Sequence, residues 1–377
     1  MNKFSTANMS SLTGMTGMTG MTGMTGMTGM TGMTGMNLAT PANTFAGYSG
    51  AMANPMLNAA LEISRQYVSP ARQSDPVEPS EYPEGPDVDY LALNDAQTRF
   101  HLLTQECLCD LSIESTVAGS AVGASLKYGQ VPLITLTRPD KEVFRKQVSA
   151  VLERRADRSD RMAEIMTQVT PQFAYWASVC NLHPERNRHT IELSLVLLHV
   201  AMLLIQRFKH EFACPRPAAW TVDMQPPIQT PAYFAWPSGH ATESLFFAAM
   251  MARLRPGVPG QNERLHTLAL RIAENREVAG LHFPVDSAAG QFLGQRLAEY
   301  FGARAGDPGA ATEMDCLTCN GDALGESTTA VSCATEKGIV LCDVPALTPA
   351  AQAPKVSVKK SEMLAWLWMK ARNEKSY

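Results

Sequence analysis

The sequence predicts an all-α fold, a helical bundle with flexible N-terminal and C-terminal extensions. Three observations predict it. Apolar residues recur at helical spacing between Leu91 and Arg304, strand-like alternation is scarce, and the composition changes on both sides of that stretch. With 45% hydrophobic and 18% charged residues, the 377-residue chain has the balance of a globular protein. The expected organisation is a low-complexity N-terminal segment with a Pro-rich linker at 1–90, a helical domain at 91–305 and a cysteine-containing tail at 306–377.

Residues Leu12 to Gly35 are one Leu-Thr-Gly and seven Met-Thr-Gly copies. Without proline they do not build a collagen-type helix, and without large core residues other than Met they read as disordered or weakly ordered. A thioether tract binding Cu(I) is the sharper alternative. A helix is expected over Met52–Tyr67. Residues Ser69–Asp89, with Pro70, Pro76, Pro79, Pro83 and Pro86, read as an extended linker. Asn94 is placed to cap a helix from Asp95 to about Ile113, with Phe100, Leu103, Cys107 and Leu111 on its apolar face. Further helices are expected at Lys141–Arg155, Asp160–Asn181, His189–Glu211, Ser238–Leu254, Asn262–Asn275 and Pro284–Phe301. Pro284 suits a first helical turn, where its missing N–H costs nothing. Gln130–Leu136 is the single fair strand candidate. Beyond Gly306 small and polar residues dominate. Ala346–Pro354 reads as linker, and Ser361–Asn373 as an amphipathic helix whose Trp366 and Trp368 need a surface to dock on.

A net charge of −4 and a pI of about 6.1 argue against a general nucleic-acid binder. The longest apolar run, Leu193 to Ile205, is well short of the roughly 20 residues that span a bilayer, so no membrane span is expected. Met1-Asn-Lys-Phe-Ser-Thr shows no secretory pattern. The expected setting is cytoplasmic, with export by a signal-less route left open, and most of the eight cysteines are then thiols.

Three segments gather the chemistry: Lys209 to Pro217, Pro237-Ser238-Gly239-His240, and Arg276 to Asp286. If the backbone stays helical, Lys209 and Arg216 lie two turns apart on one side and can converge on one anion. Arginine offers a planar fork and lysine a point charge. Ser238 and Gly239 precede an apolar helical run. A helix N-terminus offers free N–H groups, serine a cap and a hydroxyl, and glycine room for an anion to approach. His240 has the pKa range for proton transfer. Arg276 is a third cation. Asp286, in the first turn after Pro284, can fix one ring nitrogen of His282 and free the other as nucleophile or ligand. Each segment alone also fits a solvated helix end or an ordinary cap.

Taken in order, the segments resemble the vanadium-dependent haloperoxidase and type 2 phosphatidic-acid phosphatase (PAP2) superfamily: Lys-x6-Arg-Pro, Pro-Ser-Gly-His, then Ser-Arg-x5-His-x3-Asp. The one departure is Asn275 where that pattern has serine. The resemblance implies that 91–305 is a catalytic domain and that Lys209, Arg216, Ser238, Gly239 and Arg276 hold an oxyanion. It implies His282 as the axial group on the central atom, His240 as acid–base and Asp286 as the orienting carboxylate. As a haloperoxidase the chain would carry vanadate on His282, with hydrogen peroxide and halide as substrates and Lys209 activating the peroxide. As a phosphatase it would need no cofactor and would cleave a phosphate ester through a phosphohistidine. Lys209-x-Glu211-Phe212, His240-Ala241-Thr242 and the long helical region before Lys209 favour the haloperoxidase; Gly280-x-His282-x-Pro284-x-Asp286 is common among the phosphatases. A noncatalytic oxyanion-binding scaffold is the third reading, and homo-oligomerisation is open. Tyr233 either donates to the apical ligand or packs with Phe234 and Trp236.

Cys316-x2-Cys319, Cys333 and Cys342 read as a zinc site, a disulfide or plain thiols. His183, His189, His199 and His210 lack partners at ligand spacing, and Cys107 and Cys109 point to different helix faces.

Overall fold

The computed structural model describes residues 55–68, 85–118, 121–169, 172–327, 330–350 and 354–374. The Met-Thr-Gly repeats, with the Cu(I) reading, and most of the Pro-rich linker lie outside the described residues. Among the described residues there are eleven α-helices and nine strands, so the chain is mostly helical but not all-α.

Helix α1 (Pro55–Val68) matches the expected Met52–Tyr67 segment. Helix α2 (Ala96–Leu108) is capped by Asp95, whose carboxylate accepts from the Thr98 N–H at 2.7 Å. It stops short of Ile113 because Leu111 opens strand β1 (Leu111–Ala118). Strands β1, β2 (Ala121–Tyr128) and β3 (Val131–Thr137) form an antiparallel meander. It corrects the all-α expectation. Ser112, Ser115, Thr116, Gly123 and Ser125 dilute the alternation that would mark β1 and β2 as strands. The readable signal was Gly129-Gln130: Tyr128 pairs with Val131, leaving a two-residue loop whose first position, Gly129, has φ +58°.

The expected C-terminal extension is folded onto the bundle. Strand β4 (Glu313–Met314) pairs with β9 (Val356–Ser357). Strand β5 (Leu317–Asn320) runs parallel to β3, and β8 (Leu347–Pro349), within the expected linker, runs antiparallel to β5, giving a sheet ordered β1-β2-β3-β5-β8. Short helix α10 (Gly321–Glu326) follows β5, and β6 (Ser332–Thr335) and β7 (Gly338–Leu341) make a hairpin. Helix α11 (Glu362–Arg372) starts at its cap Ser361 and buries Leu364, Leu367 and Trp368, as its apolar face demands. Trp366 stays part-exposed and donates to Asp89.

Between these lie α3 (Lys141–Glu153), α4 (Arg158–Thr167), α5 (Gln172–Cys180), α6 (Arg188–Phe212), α7 (Gly239–Leu254), α8 (Gln261–Val278) and α9 (Pro284–Arg304). The expected Asp160–Asn181 helix is thus two, α4 and α5. Helix α7 is buried nearly all round and packs against α6, α8 and α9. Its approach to α9 is set by two glycines one turn apart. A Cβ at Gly290 would lie 2.7 Å from the Ser238 carbonyl oxygen, and one at Gly294 would lie 2.5 Å from that of Thr242. The start of α6 is capped from the far end of the described chain. The Glu374 carboxylate accepts from the N–H groups of His189 and Thr190 at 2.7 and 3.0 Å.

The stretch Arg188–Ala219, which contains α6, is long and apolar enough to cross a membrane by length and composition, which qualifies the expectation of no span. Of its most apolar window, 61% is buried inside the protein.

Candidate active site

Helix α6 carries Lys209 in its last turn and ends at Phe212, because Ala213 turns left-handed at φ +51°. Arg216 follows in extended backbone, φ −76° and ψ 159°. Lys209 and Arg216 therefore do not share a helix face, contrary to the expectation; a loop brings them together. Lys209 Nζ donates to the carbonyl oxygens of Phe234 (3.0 Å) and Ala235 (2.6 Å). Arg216 donates to those of Tyr233 (Nε, 2.9 Å), Phe234 (Nη2, 3.3 Å) and Leu281 (Nη1, 3.0 Å). The Tyr233 ring lies 5.5 Å from Lys209 Nζ and 5.0 Å from the Arg216 guanidinium, so its face serves both cations.

His282 sits between opposite charges. Its Nδ1 meets Asp286 Oδ2 at 3.0 Å and its Nε2 meets Arg216 Nη1 at 3.1 Å. The guanidinium can only donate, so Nε2 accepts and Nδ1 carries the proton given to Asp286. The same Oδ2 accepts the Phe283 N–H at 2.9 Å, which fixes the carboxylate at the start of α9. The Asp286 carbonyl oxygen in turn accepts the Ser238 N–H at 2.9 Å, tying α9 to the cap of α7. The Ser238 hydroxyl accepts from the Ala241 N–H, as a cap should. Gly239 and His240 occupy the first turn, where N–H groups have no acceptor inside the helix.

His240 Nε2 lies 3.2 Å from the Gln168 carbonyl oxygen, which can only accept, so Nε2 carries the proton and Nδ1 the lone pair. Arg276 is fully buried. Its Nη2 donates to the carbonyl oxygen of Ile165 (3.0 Å) and to Gln168 Oε1 (3.2 Å). Its Nε and Nη1 have no partner.

The eight residues singled out in the sequence thus form one linked set. Lys209 and Arg216 share the Phe234 carbonyl, Arg216 touches His282, His282 touches Asp286, and Asp286 holds Ser238. Gly239 and His240 follow Ser238, and Gln168 joins His240 to Arg276. Sequence reasoning missed Gln168, Gly290, Gly294 and Glu243. The glycines alone left a trace, a Gly-x3-Gly spacing inside a helix.

Burial governs the electrostatics. It pushes Arg276 down to about 10, and with Arg216 beside it holds the Lys209 ammonium well below its ordinary value. It also holds His240 and His282 well below the usual imidazole range, reinforced by Arg276 at His240 and by Arg216 at His282. Burial raises Asp286 to about 7, and Glu243, hydrogen-bonded to Gln172 Nε2 at 3.0 Å, also to about 7. The site therefore concentrates donors for an anion, and burial favours the uncharged form of both imidazoles.

Cys316, Cys319, Cys333 and Cys342 make no zinc site. Among the described residues no group of three or more His, Cys, Asp or Glu could hold a metal ion. The four are free thiols: Cys319 is buried in β5, Cys316 sits beside Thr135, and Cys333 and Cys342 face each other in the β6–β7 hairpin.

Residues 192–301, which include all eight groups, match the family model of the PAP2 superfamily. No curated protein matches the chain.

Proposed function

We propose that this chain, which belongs to the PAP2 superfamily through residues 192–301, is a vanadate-dependent haloperoxidase that oxidises halide with hydrogen peroxide. Membership itself supports an enzyme of the phosphatase or haloperoxidase type. The observation that carries the reading is His282, with Nδ1 held by Asp286 and its Nε2 lone pair kept at a wall of buried cations.

The donors fit a tetrahedral oxyanion. Lysine has three N–H donors and arginine five. Lys209 keeps one beyond its two carbonyl contacts, and Arg276 keeps Nε–H and both Nη1 hydrogens. The first-turn amides of α7 and the Ser238 hydroxyl add neutral donors. Lys209, Arg216, Ser238, Gly239 and Arg276 would hold vanadate's oxygens, and His282 would bind its central atom. When bound, vanadate supplies a Lewis acid that activates peroxide for attack by halide, giving hypohalous acid and water. Burial and the nearby Arg276 favour the uncharged form of His240, and its free Nδ1 would take the first proton from hydrogen peroxide. Lys209 and the two arginines offset the negative charge that develops on oxygen.

In the phosphatase reading His240 would instead give a proton to the leaving alkoxide while His282 attacks phosphorus. The test is an assay of purified protein with orthovanadate, hydrogen peroxide and bromide or iodide. Halogenation should require vanadate and fall by about 10³-fold or more in His282→Ala. Vanadate-inhibited release of phosphate from a monoester would instead establish the phosphatase, and neither activity would leave an oxyanion-binding scaffold.

A further inference from the structure

We propose that Gln168, locked by Asn275, is the positioning residue that aims the Arg276 guanidinium at the bound oxyanion; the inference rests on the oxyanion reading above. Gln168 is fully buried, just beyond the end of α4 and outside the three recognised segments. Its Oε1 accepts two donors, Arg276 Nη2 at 3.2 Å and Asn275 Nδ2 at 3.0 Å. Two converging donors fix which end of the amide is oxygen. Gln168 Oε1 and the Ile165 carbonyl together occupy Nη2, so the Nε and Nη1 hydrogens are the ones left to meet a ligand.

Asn275 is itself clamped. Its Nδ2 also donates to Glu164 Oε2 at 2.8 Å and its Oδ1 accepts from Arg161 at 3.3 Å, while Glu164 is paired with Arg271 at 2.7 Å. This is the position where the sequence departs from the serine of the family pattern. A serine hydroxyl has one hydrogen and could not donate to Glu164 and Gln168 together. The departure therefore belongs to a device that this chain builds around Arg276. The main-chain carbonyl of Gln168 also receives His240 Nε2–H, so one residue holds the acid–base by its backbone and the third cation by its side chain.

The experiment is calorimetric titration of the full chain with inorganic orthovanadate, for wild type, Gln168→Met, Arg276→Met and the double variant. Methionine keeps the volume and removes the acceptor. Gln168→Met should bind orthovanadate about tenfold more weakly, the worth of one hydrogen bond to a charged group. That loss should vanish in the Arg276→Met background, since the side chain acts through Arg276. A structural role alone would weaken both backgrounds equally, and that result, or unchanged binding by Gln168→Met, overturns the inference. Absence of binding by the wild-type chain overturns the oxyanion site and this inference with it. Should Gln168→Met fail to fold by circular dichroism, Asn275→Ala decides. It removes one of the two donors to Oε1 and should weaken binding about threefold, again only when Arg276 is present.

Discussion

Arg216 and Arg276 both lie near enough to His240 and His282 to act on their charge, but they are held in opposite ways. Arg216 donates to three main-chain carbonyls and to His282, and the Asp286 carboxylate offsets its charge. Arg276 has one main-chain carbonyl and the Gln168 side chain, and two of its nitrogens have no partner although buried. The first arginine is part of the fold, tying its own loop to the loop at Tyr233–Phe234 and to the connection between α8 and α9. The second is stored at a cost, and an unpartnered buried cation is retained where a ligand repays it.

The sharpest way to break this comparison is to remove each charge. Arg216→Met should lower unfolding stability by about 3–5 kcal/mol, because it takes the donor from the buried Leu281 carbonyl and breaks the contacts to Tyr233, Phe234 and His282. Arg276→Met should stay within about 1 kcal/mol of wild type, because burial already opposes its charge. Urea unfolding without added oxyanion measures both, and equal losses would refute the distinction.

A second prediction concerns the frame on which both walls stand. Gly290→Ala should cost about 1–3 kcal/mol in thermal unfolding, because its Cβ would meet the Ser238 carbonyl oxygen at 2.7 Å and part the cap of α7 from His282 and Asp286. Gly302→Ala, in the same helix but 3.4 Å from its nearest neighbour, is the control and should be neutral or stabilising by up to about 1 kcal/mol.

The pH dependence sharpens the Lys209 side. Glu243 has its carboxyl raised from 4.5 to about 7 by burial, so the folded state binds its proton more tightly than the unfolded chain does. Its contribution to stability is complete below about pH 4.5 and is lost as pH rises through about 7. Glu243→Gln should flatten the fall in stability across that window and gain roughly 1–3 kcal/mol at pH 8, measured by denaturant unfolding. The smallest effect is expected far from the pocket: Glu374→Ala should cost about 1 kcal/mol, the worth of a helix cap, with orthovanadate affinity unchanged.

The pocket was far more legible than the scaffold. Lys209, Arg216, Ser238, Gly239, His240, Arg276, His282 and Asp286 lie in segments where several residue types occur together at fixed spacing, and one chain of contacts links them. Gln168 was invisible because glutamine in a loop carries no pattern, and its role comes only from where α4 ends. Strands β1 and β2 were hidden by serine, threonine and glycine, and β5 and β8 by brevity. Their pairing is set by contacts distant in sequence, which local periodicity does not report. The docked α11 was foreseen from its two tryptophans, but its partner was not.

The parallel pairing of β3 with β5 joins Ile134 to Leu317 and Thr137 to Asn320. On a ribosome the meander emerges long before the strand that covers its edge, so β3 stays an open template while α6 to α9 are still being synthesised. Maturation of this protein should therefore finish late, with high contact order and a need for protection of that edge. A nascent chain released before Leu317 would expose a sticky border instead of a smaller folded protein.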